Sequence, residues 1–495
     1  MNILSHQQCF RPEVYSICRV KDYEDFKNHL IKIDRLLDDG GLEHKLVNAA
    51  LARHVSQKQL DPKVFYASAT SDRMARYYGH ALRCSIARHL TGESYRQFSI
   101  RLADSQLFQW FTHINAFNRV KGVSKSALER YEKAFNSEWL GEQIKGWLSG
   151  LSDEDSAAGL NAPLDFDVLL TDSSCIKANI HFPVDWVLLR DAARTLLLAI
   201  RCIRKQQLCH RMPEPSSLLK RMNKLCIEMT HCRRKKDSKK HRKAILRKMK
   251  RLSRVIEAHA KRYHYLLAER WHETNWSEAQ VKQVLRRIEN VLAKLPQAIE
   301  QAHERIIGER QLLSKKKLLS LYDDNADVIV RGKSGAEVEF GQKLLITEQV
   351  DGLIVDWEVF DKQAPSDSEL LELTLKRCKT HYKNIKIITG DRGFNSKAND
   401  KFLAQELLFN ATCPRSPDQL RQKLEEPCFA QLQNRRSQTE ARVGIIKNVF
   451  IGRPLKTRML DNKRHAVNWC VLSHNLWLLA RKLASDELPN LSKAA

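Results

Sequence analysis

Three acids stand where a chain could set them to chemical use. Asp172 follows the apolar run Phe166 to Thr171, which reads as a buried strand with an acid at its exit. Asp391 follows Ile385 to Thr389 in the same way, with Arg392 and Gly393 directly after it. Side chains at the carboxyl ends of neighbouring strands in an open sheet point into one crevice. Two carboxylates there suit Mg²⁺, a hard cation that prefers oxygen ligands. Arg392 could meet a phosphate, and Gly393 lets the backbone turn sharply. The third acid, Glu440, lies four residues after Arg436 and seven before Lys447. At about 100° per residue these three share one helical stripe: cation, anion, cation. Alone, the stripe reads as a surface helix with an ion pair; the two other acids are what favour a site. Asp167 is the substitute should Asp172 not be the first acid.

The elements that must position these residues follow from periodicity. Lys343–Ile346 and Leu353–Val355 flank Asp351-Gly352, a strong hairpin signal. A helix from about Ser366 turns Leu371, Leu375 and Cys378 inward. A helix near 396–406, a strand near 408–413, a helix over 435–450 and a last amphipathic helix over about 465–483 complete the order. Strands alternating with helices after an antiparallel hairpin indicate an α/β mixed sheet covered by helices. Between about 185 and 321 the apolar spacing is helical. Val281, Val284, Ile288, Val291 and Leu295 form a heptad seam, for pairing within the chain or with a second copy. Pro296 should kink or restart that helix, and an antiparallel helical hairpin fits the insert. Upstream, 76–150 reads as short helices, the last beginning at Ser124 with Leu128, Tyr131 and Phe135 on one face. Lys125 and Arg130 lie on its outer face. Such helices fit a helix-turn-helix reader or a small packing domain equally well. Residues 1–75 give little pattern, and 484–495 read as a loose tail.

Charge narrows the partners. Lys and Arg number 84 against 58 Asp and Glu, a formal charge of +26. Residues 201–320 hold 32 of those cations and 11 of the acids. The densest run includes Arg233, Arg234, Lys235, Lys236, Lys239, Lys240, Arg242 and Lys243. A one-sided run of this kind favours phosphate contact over a merely solvated face. No apolar stretch approaches the roughly 18 residues of a membrane span. Met1–Phe10 has no signal-peptide pattern, and no phosphate-binding G-x-x-x-x-G-K-[ST] loop calls for a nucleotide cofactor. The 12 cysteines include no C-x-x-C pair. Cys209, His210, His231 and Cys232 do not match zinc spacing and read better as ordinary helix residues.

Taken together, three segments resemble a bacterial insertion-sequence transposase of the DDE class. They are Thr171-Asp172-Ser173-Ser174 with Ala178-Asn179, Phe182-Pro183 and Asp185; Ile388-Thr389-Gly390-Asp391-Arg392-Gly393-Phe394; and Arg436-x3-Glu440-x6-Lys447. Trp469 to Leu476 resembles the helix that usually follows. The resemblance covers about 160–200 and 325–480, and weakly 76–140. It implies a ribonuclease H-like catalytic domain at 160–200 and 321–483; the spacing of the residues themselves gives the large all-helical basic insertion at 201–320 and the N-terminal helical domain at 76–150, which fits a helix-turn-helix reader. The resemblance also implies two Mg²⁺ ions, replaceable by Mn²⁺, held by Asp172, Asp391 and Glu440, with Arg436 and Lys447 on DNA phosphates. The implied partners are double-stranded DNA (element terminal repeats and target) and a second copy on DNA, in a bacterial cytoplasm beside the nucleoid. Gln433 stands where the family commonly has Tyr, and the insert lies between the first and second acids, so end-protection details are not carried over. A nuclease or resolvase with the same site, or an inactive DNA-binding descendant, stays open beside this reading.

Overall fold

The computed structural model describes residues 14, 19–38, 41–116, 119–120, 122–153, 160–232, 237–313, 316–333, 336–452 and 455–483. Helices dominate, around a mixed sheet. The chain forms two units, one of residues 1–176, 343–360 and 364–495, the other of 177–342 and 361–363. No helix among the described residues is long and apolar enough to cross a membrane.

The first unit opens with helices α1 (Lys21–Asp38), α2 (Leu42–Lys58), α3 (Pro62–Tyr66), α4 (Ala69–Thr91), α5 (Tyr95–Asp104) and α6 (Gln106–Phe111). A two-stranded ladder follows, β1 (Asn115–Ala116) and β2 (Arg119–Val120), then α7 (Lys125–Glu132) and α8 (Ser137–Gly150). Side-chain caps start α5, α7 and α8: Ser94 with Gln97 in a capping box, then Ser124 and Asn136, each accepting from a backbone amide of the first turn. The buried Arg83 guanidinium ties α4 to Asp34, Asp38 and Glu43. Strand β3 (Val168–Lys177) comes next.

The second unit carries α9 (Asp185–Lys205), α10 (Pro215–His231), α11 (Ser238–Arg270) and α12 (Glu278–Ile306). This is a bundle rather than the expected helical hairpin: α9 packs on the other three helices, and α11 also on α10 and α12. The seam of Val281, Ile288, Val291 and Leu295 is buried inside it. Pro296 does not break α12. It lies on the exposed face, where water can satisfy the carbonyl it leaves unbonded. Strand β4 (Asp327–Lys333) then pairs antiparallel with the start of β5 (Ala336–Gln349).

Back in the first unit, β5 turns at Asp351-Gly352 into antiparallel β6 (Ile354–Val359). After it come α13 (Asp367–His381), β7 (Ile387–Thr389), α14 (Lys397–Gln405), β8 (Phe409–Asn410), α15 (Pro417–Leu424), α16 (Pro427–Ile445), a π-helical segment (Ile446–Ile451) and α17 (Leu460–Lys482). The sheet runs β6-β5-β3-β7-β8, with β7 parallel to both β3 and β8. Thr347 Oγ1 reaches Thr171 Oγ1, and Ala178 N donates to Phe340 O. These contacts step seven residues forward on β3 and seven back on β5, so that pair is antiparallel.

The last helix is not amphipathic. His465 to Leu476 of α17 are buried on every face, because α1, α4, α8 and β6 all pack on it. Two of its buried polar side chains have partners on β6. Asn475 accepts from Ile354 N at 2.9 Å and donates to Ile354 O at 2.8 Å; Asn468 accepts from Trp357 Nε1 at 2.7 Å. One apolar core accordingly runs from Leu30 through the sheet to Leu483.

Candidate active site

Asp172 and Asp391 meet because of strand register. Parallel pairing sets Val168, Leu169 and Leu170 opposite Ile387, Ile388 and Thr389. Carried two residues on, the same register puts Asp172 beside Asp391, on chains about 4.8 Å apart. The expectation of an acid at the exit of each strand needs one correction: β7 does end just before Asp391, but β3 continues through Asp172 to Lys177. It continues because Cys175 and Ile176 are buried beyond the acid, and the Ser174 side chain is buried with them.

The local charge is strained. Burial raises the Asp172 pKa, and the neighbouring Asp391 carboxylate raises it further, to about 7; the Ser173 amide pulls it down, Glu440 pushes it up, and Arg436 pulls it down. A carboxyl held between its two protonation states near neutrality is a frequent property of working sites. Ser173 N donates to Asp172 Oδ1 and Gly393 N to Asp391 Oδ1, both at 2.8 Å. A side chain at Gly393 would crowd Asp367 Oδ2 and Asp391 Oδ1, its Cβ 2.8 and 2.9 Å away. Glycine there answers to the close approach of two acids.

Glu440 is delivered by α16, which is tied to the sheet at both sides. Gln433 Nε2 donates to Ala411 O just past β8, at 2.7 Å. At the other side Glu348 of β5, fully buried, takes Thr439 Oγ1 at 2.8 Å, Arg442 Nε at 3.0 Å and Arg435 Nη1 at 3.1 Å. Arg435 also donates to Val350 O. Arg442 lies where a side chain at Gly352 would sit, its Nη2 2.1 Å from that Cβ position, and Gly352 has φ +90°. Arg435, Thr439 and Arg442 are spaced i, i+4, i+7, a second helical stripe beside that of Arg436 and Glu440. That spacing was the only trace in the sequence of the Glu348 clamp.

Glu440 itself is half exposed and paired with Arg436 at 2.9 Å. Lys447 falls in the π-helical segment, so the expected single stripe of ordinary helix stops short of it. Wide turns of this kind recur at functional sites. Lys447 is buried, and its Nζ donates to Ser174 Oγ at 2.9 Å, two residues from Asp172 on the same face of β3. Arg392 is exposed in the loop after β7. Asp167, the substitute acid, pairs with Lys386 away from the others.

Donor chemistry fits a divalent cation at the Asp172–Asp391 pair: hard oxygens, like-charged and crowded. Among the described residues no three His, Cys, Asp or Glu groups close around an ion-sized point. Glu440 would have to leave Arg436 to complete one.

The other named residues are dispersed. Lys125 and Arg130 are exposed on α7. Arg233, Arg234, Lys235 and Lys236 lie outside the described residues. Lys239 and Lys243 pair with Glu309, Arg242 lies over the Trp186 ring, and Lys240 is exposed. Cys209 and His210 precede α10 while His231 and Cys232 end it, so about 25 Å of helix separates the two pairs. They cannot share one zinc.

Set against known protein families, curated proteins and solved structures, the chain matches none.

Proposed function

We propose that the chain is an insertion-sequence transposase of the DDE class that cuts DNA at element ends and joins the freed 3′-hydroxyl to target DNA. The observation that carries this reading is the register-fixed pairing of Asp172 with Asp391, with Asp172 held near pKa 7 by burial and by its neighbour. The strand order β6-β5-β3-β7-β8, with β3, β7 and β8 parallel and β5 reversed, supports a ribonuclease H-like sheet. So does the delivery of a third acid by a helix crossing from the β8 side to the β5 side.

Mg²⁺, when bound, supplies Lewis acidity that activates a water or a 3′-hydroxyl and stabilises the departing oxygen. Asp172, Asp391 and Glu440 would hold it. Near neutral pH Asp172 gives up its proton readily, so little is lost when a cation takes the proton's place. Arg436, which would be freed if Glu440 turned inward, and Arg392, exposed in the loop that carries Asp391, would meet phosphate oxygens. The Lys447 ammonium, fixed on Ser174, adds positive charge beside the acid-bearing strand, where negative charge grows during phosphoryl transfer.

The test is incubation of the purified protein with DNA carrying its gene's native flanks, in Mg²⁺ and separately in Ca²⁺, beside Asp391→Ala. Mg²⁺-dependent cuts with 3′-OH ends that join a second plasmid, absent in the variant, are expected. Cutting without joining would replace the reading with a nuclease. Equal cutting by the variant would remove Asp391 from the site.

A further inference from the structure

Helix α11 runs for 33 residues and carries 12 Lys and Arg against two Glu. Its inner face is apolar: Leu246, Met249, Ser253, Ile256, Ala260, Tyr263 and Leu267, all buried, recur at spacings of 3 and 4. At about 100° per residue, the opposite face is centred on Arg251. Lys240, Arg247, Lys248, Arg254 and Arg262 all fall within about 60° of it, and all are exposed. No acid occupies that sector between Lys240 and Tyr265. Glu257 points aside and pairs with Lys261.

On other helices some exposed lysines have an acid four residues away, as Lys282 has Glu278 and Lys376 has Glu372. On the outer face of α11, the side chains of Lys240, Arg247, Lys248, Arg251 and Arg254 make no ion pair or hydrogen bond with any described residue. Like charges three and four residues apart destabilise a helix, and here the repulsion is left uncompensated. Just off the row, burial and then the charge of Arg254 hold Lys250 below the usual lysine range. From Lys240 to Arg262 the row is about 33 Å long, close to one turn of a DNA duplex at roughly 34–36 Å. Lys and Arg are its only hydrogen-bonding groups between Lys240 and Arg262, with Ala244, Val255 and Ala258 among them. A face without Asn, Gln, Ser or Thr suits phosphates better than base edges.

We propose that the outer face of α11, formed by Lys240, Arg247, Lys248, Arg251, Arg254 and Arg262, docks the phosphate backbone of duplex DNA without reading its sequence. The choice of DNA as occupant rests on the transposase reading; the charge row does not depend on Asp172, Asp391 or Glu440. It also moves the basic contact from the 233–243 run, where Lys239 and Lys243 are already engaged by Glu309, to the length of the helix.

The experiment is fluorescence anisotropy with two 30-base-pair duplexes of unrelated sequence, in Ca²⁺, across about 50–200 mM salt. The variant is Lys240→Gln, Arg247→Gln, Arg251→Gln and Arg254→Gln together. The slope of log K against log salt should become shallower by about 3–4, at roughly 0.9 per phosphate contact, and by the same amount on both duplexes. A second variant, with Arg247, Arg251 and Arg254 each changed to Lys, keeps the charge and should keep the slope. A control removes four exposed, ion-paired cations at Lys282, Arg310, Lys376 and Arg421, and should barely move it. An unchanged slope in the first variant, an equal change in the control, or a loss on one duplex alone would overturn the proposal. So would loss of binding to phosphatidylserine vesicles with DNA binding intact. Binding needs no cutting, so a protein that cuts nothing yet shows the expected change in slope would cost the catalytic reading and leave this surface standing.

Discussion

Replacing Asp172 by Asn should make the protein more stable, and only above a definite pH. In the fold the carboxyl titrates near 7, against 3.8 for the unperturbed group. Between those values the folded chain keeps a proton that the unfolded chain has lost, so folding stability falls as pH rises from about 4 to about 7 and is level above. At about 1.4 kcal/mol per unit, the full penalty of an ionised Asp172 is on the order of 4 kcal/mol. Asparagine has no proton to lose, and its Oδ1 can still accept from Ser173 N. Asp172→Asn should therefore gain up to about 4 kcal/mol at pH 8 and next to nothing at pH 4. Urea denaturation of both proteins, followed by tryptophan fluorescence at intervals from pH 4 to 8, measures the difference. A difference that is flat across that range, or an Asn variant less stable at pH 8, would refute the placement of two acids side by side. Millimolar Mg²⁺ should recover part of the wild-type deficit at pH 8 and leave the variant unchanged.

Three further outcomes are expected. Gly352→Ala drives a methyl into Arg442 and strains a positive φ; it should cost about 2–4 kcal/mol in denaturant titration. It should also slow cleavage more than it weakens DNA binding, since the Glu348 clamp orients the helix bearing Glu440. Asn475→Ala strips both partners from Ile354 inside the core and should cost about 2–4 kcal/mol, visible as a lowered melting temperature with no change in metal dependence. Elemental analysis of the purified protein should find no stoichiometric zinc, and Cys209→Ser should melt like the wild type.

Local pattern made some of this legible. Asp351-Gly352 between apolar runs announced the β5–β6 hairpin. Leu371, Leu375 and Cys378 announced the buried face of α13, and Asp391 after Ile385–Thr389 announced its place beyond β7. What failed were features settled at long range. Glu348 looks like an ordinary acid late in a strand; only partners 91 and 94 residues further on, Thr439 and Arg442, explain its burial. The apolar run ending at Thr171 suggested that β3 stops at Asp172, because nothing nearby says that Lys447 donates to Ser174. Helix α17 read as amphipathic, since the hydrogen bonds that Asn468 makes with Trp357 and Asn475 with Ile354 cannot be foreseen from helical spacing. The Glu440 stripe was readable as far as α-helical geometry holds, and the π-helical turns end that rule at Lys447.

One property of the sheet bears on how the protein is made. Strand β3 is complete at Lys177, but the part of β5 that pairs beside it in the first unit begins only at Lys343. During synthesis at about 5–20 residues per second, β3 waits roughly 10–30 s for that neighbour, and longer for β7. In the interval the ribosome delivers α9 to α12, whose apolar core is drawn from the 186–321 segment alone. Asp172 is thus made early and given its partners late, and a nascent chain carries the basic helices well before it carries a finished pair of acids.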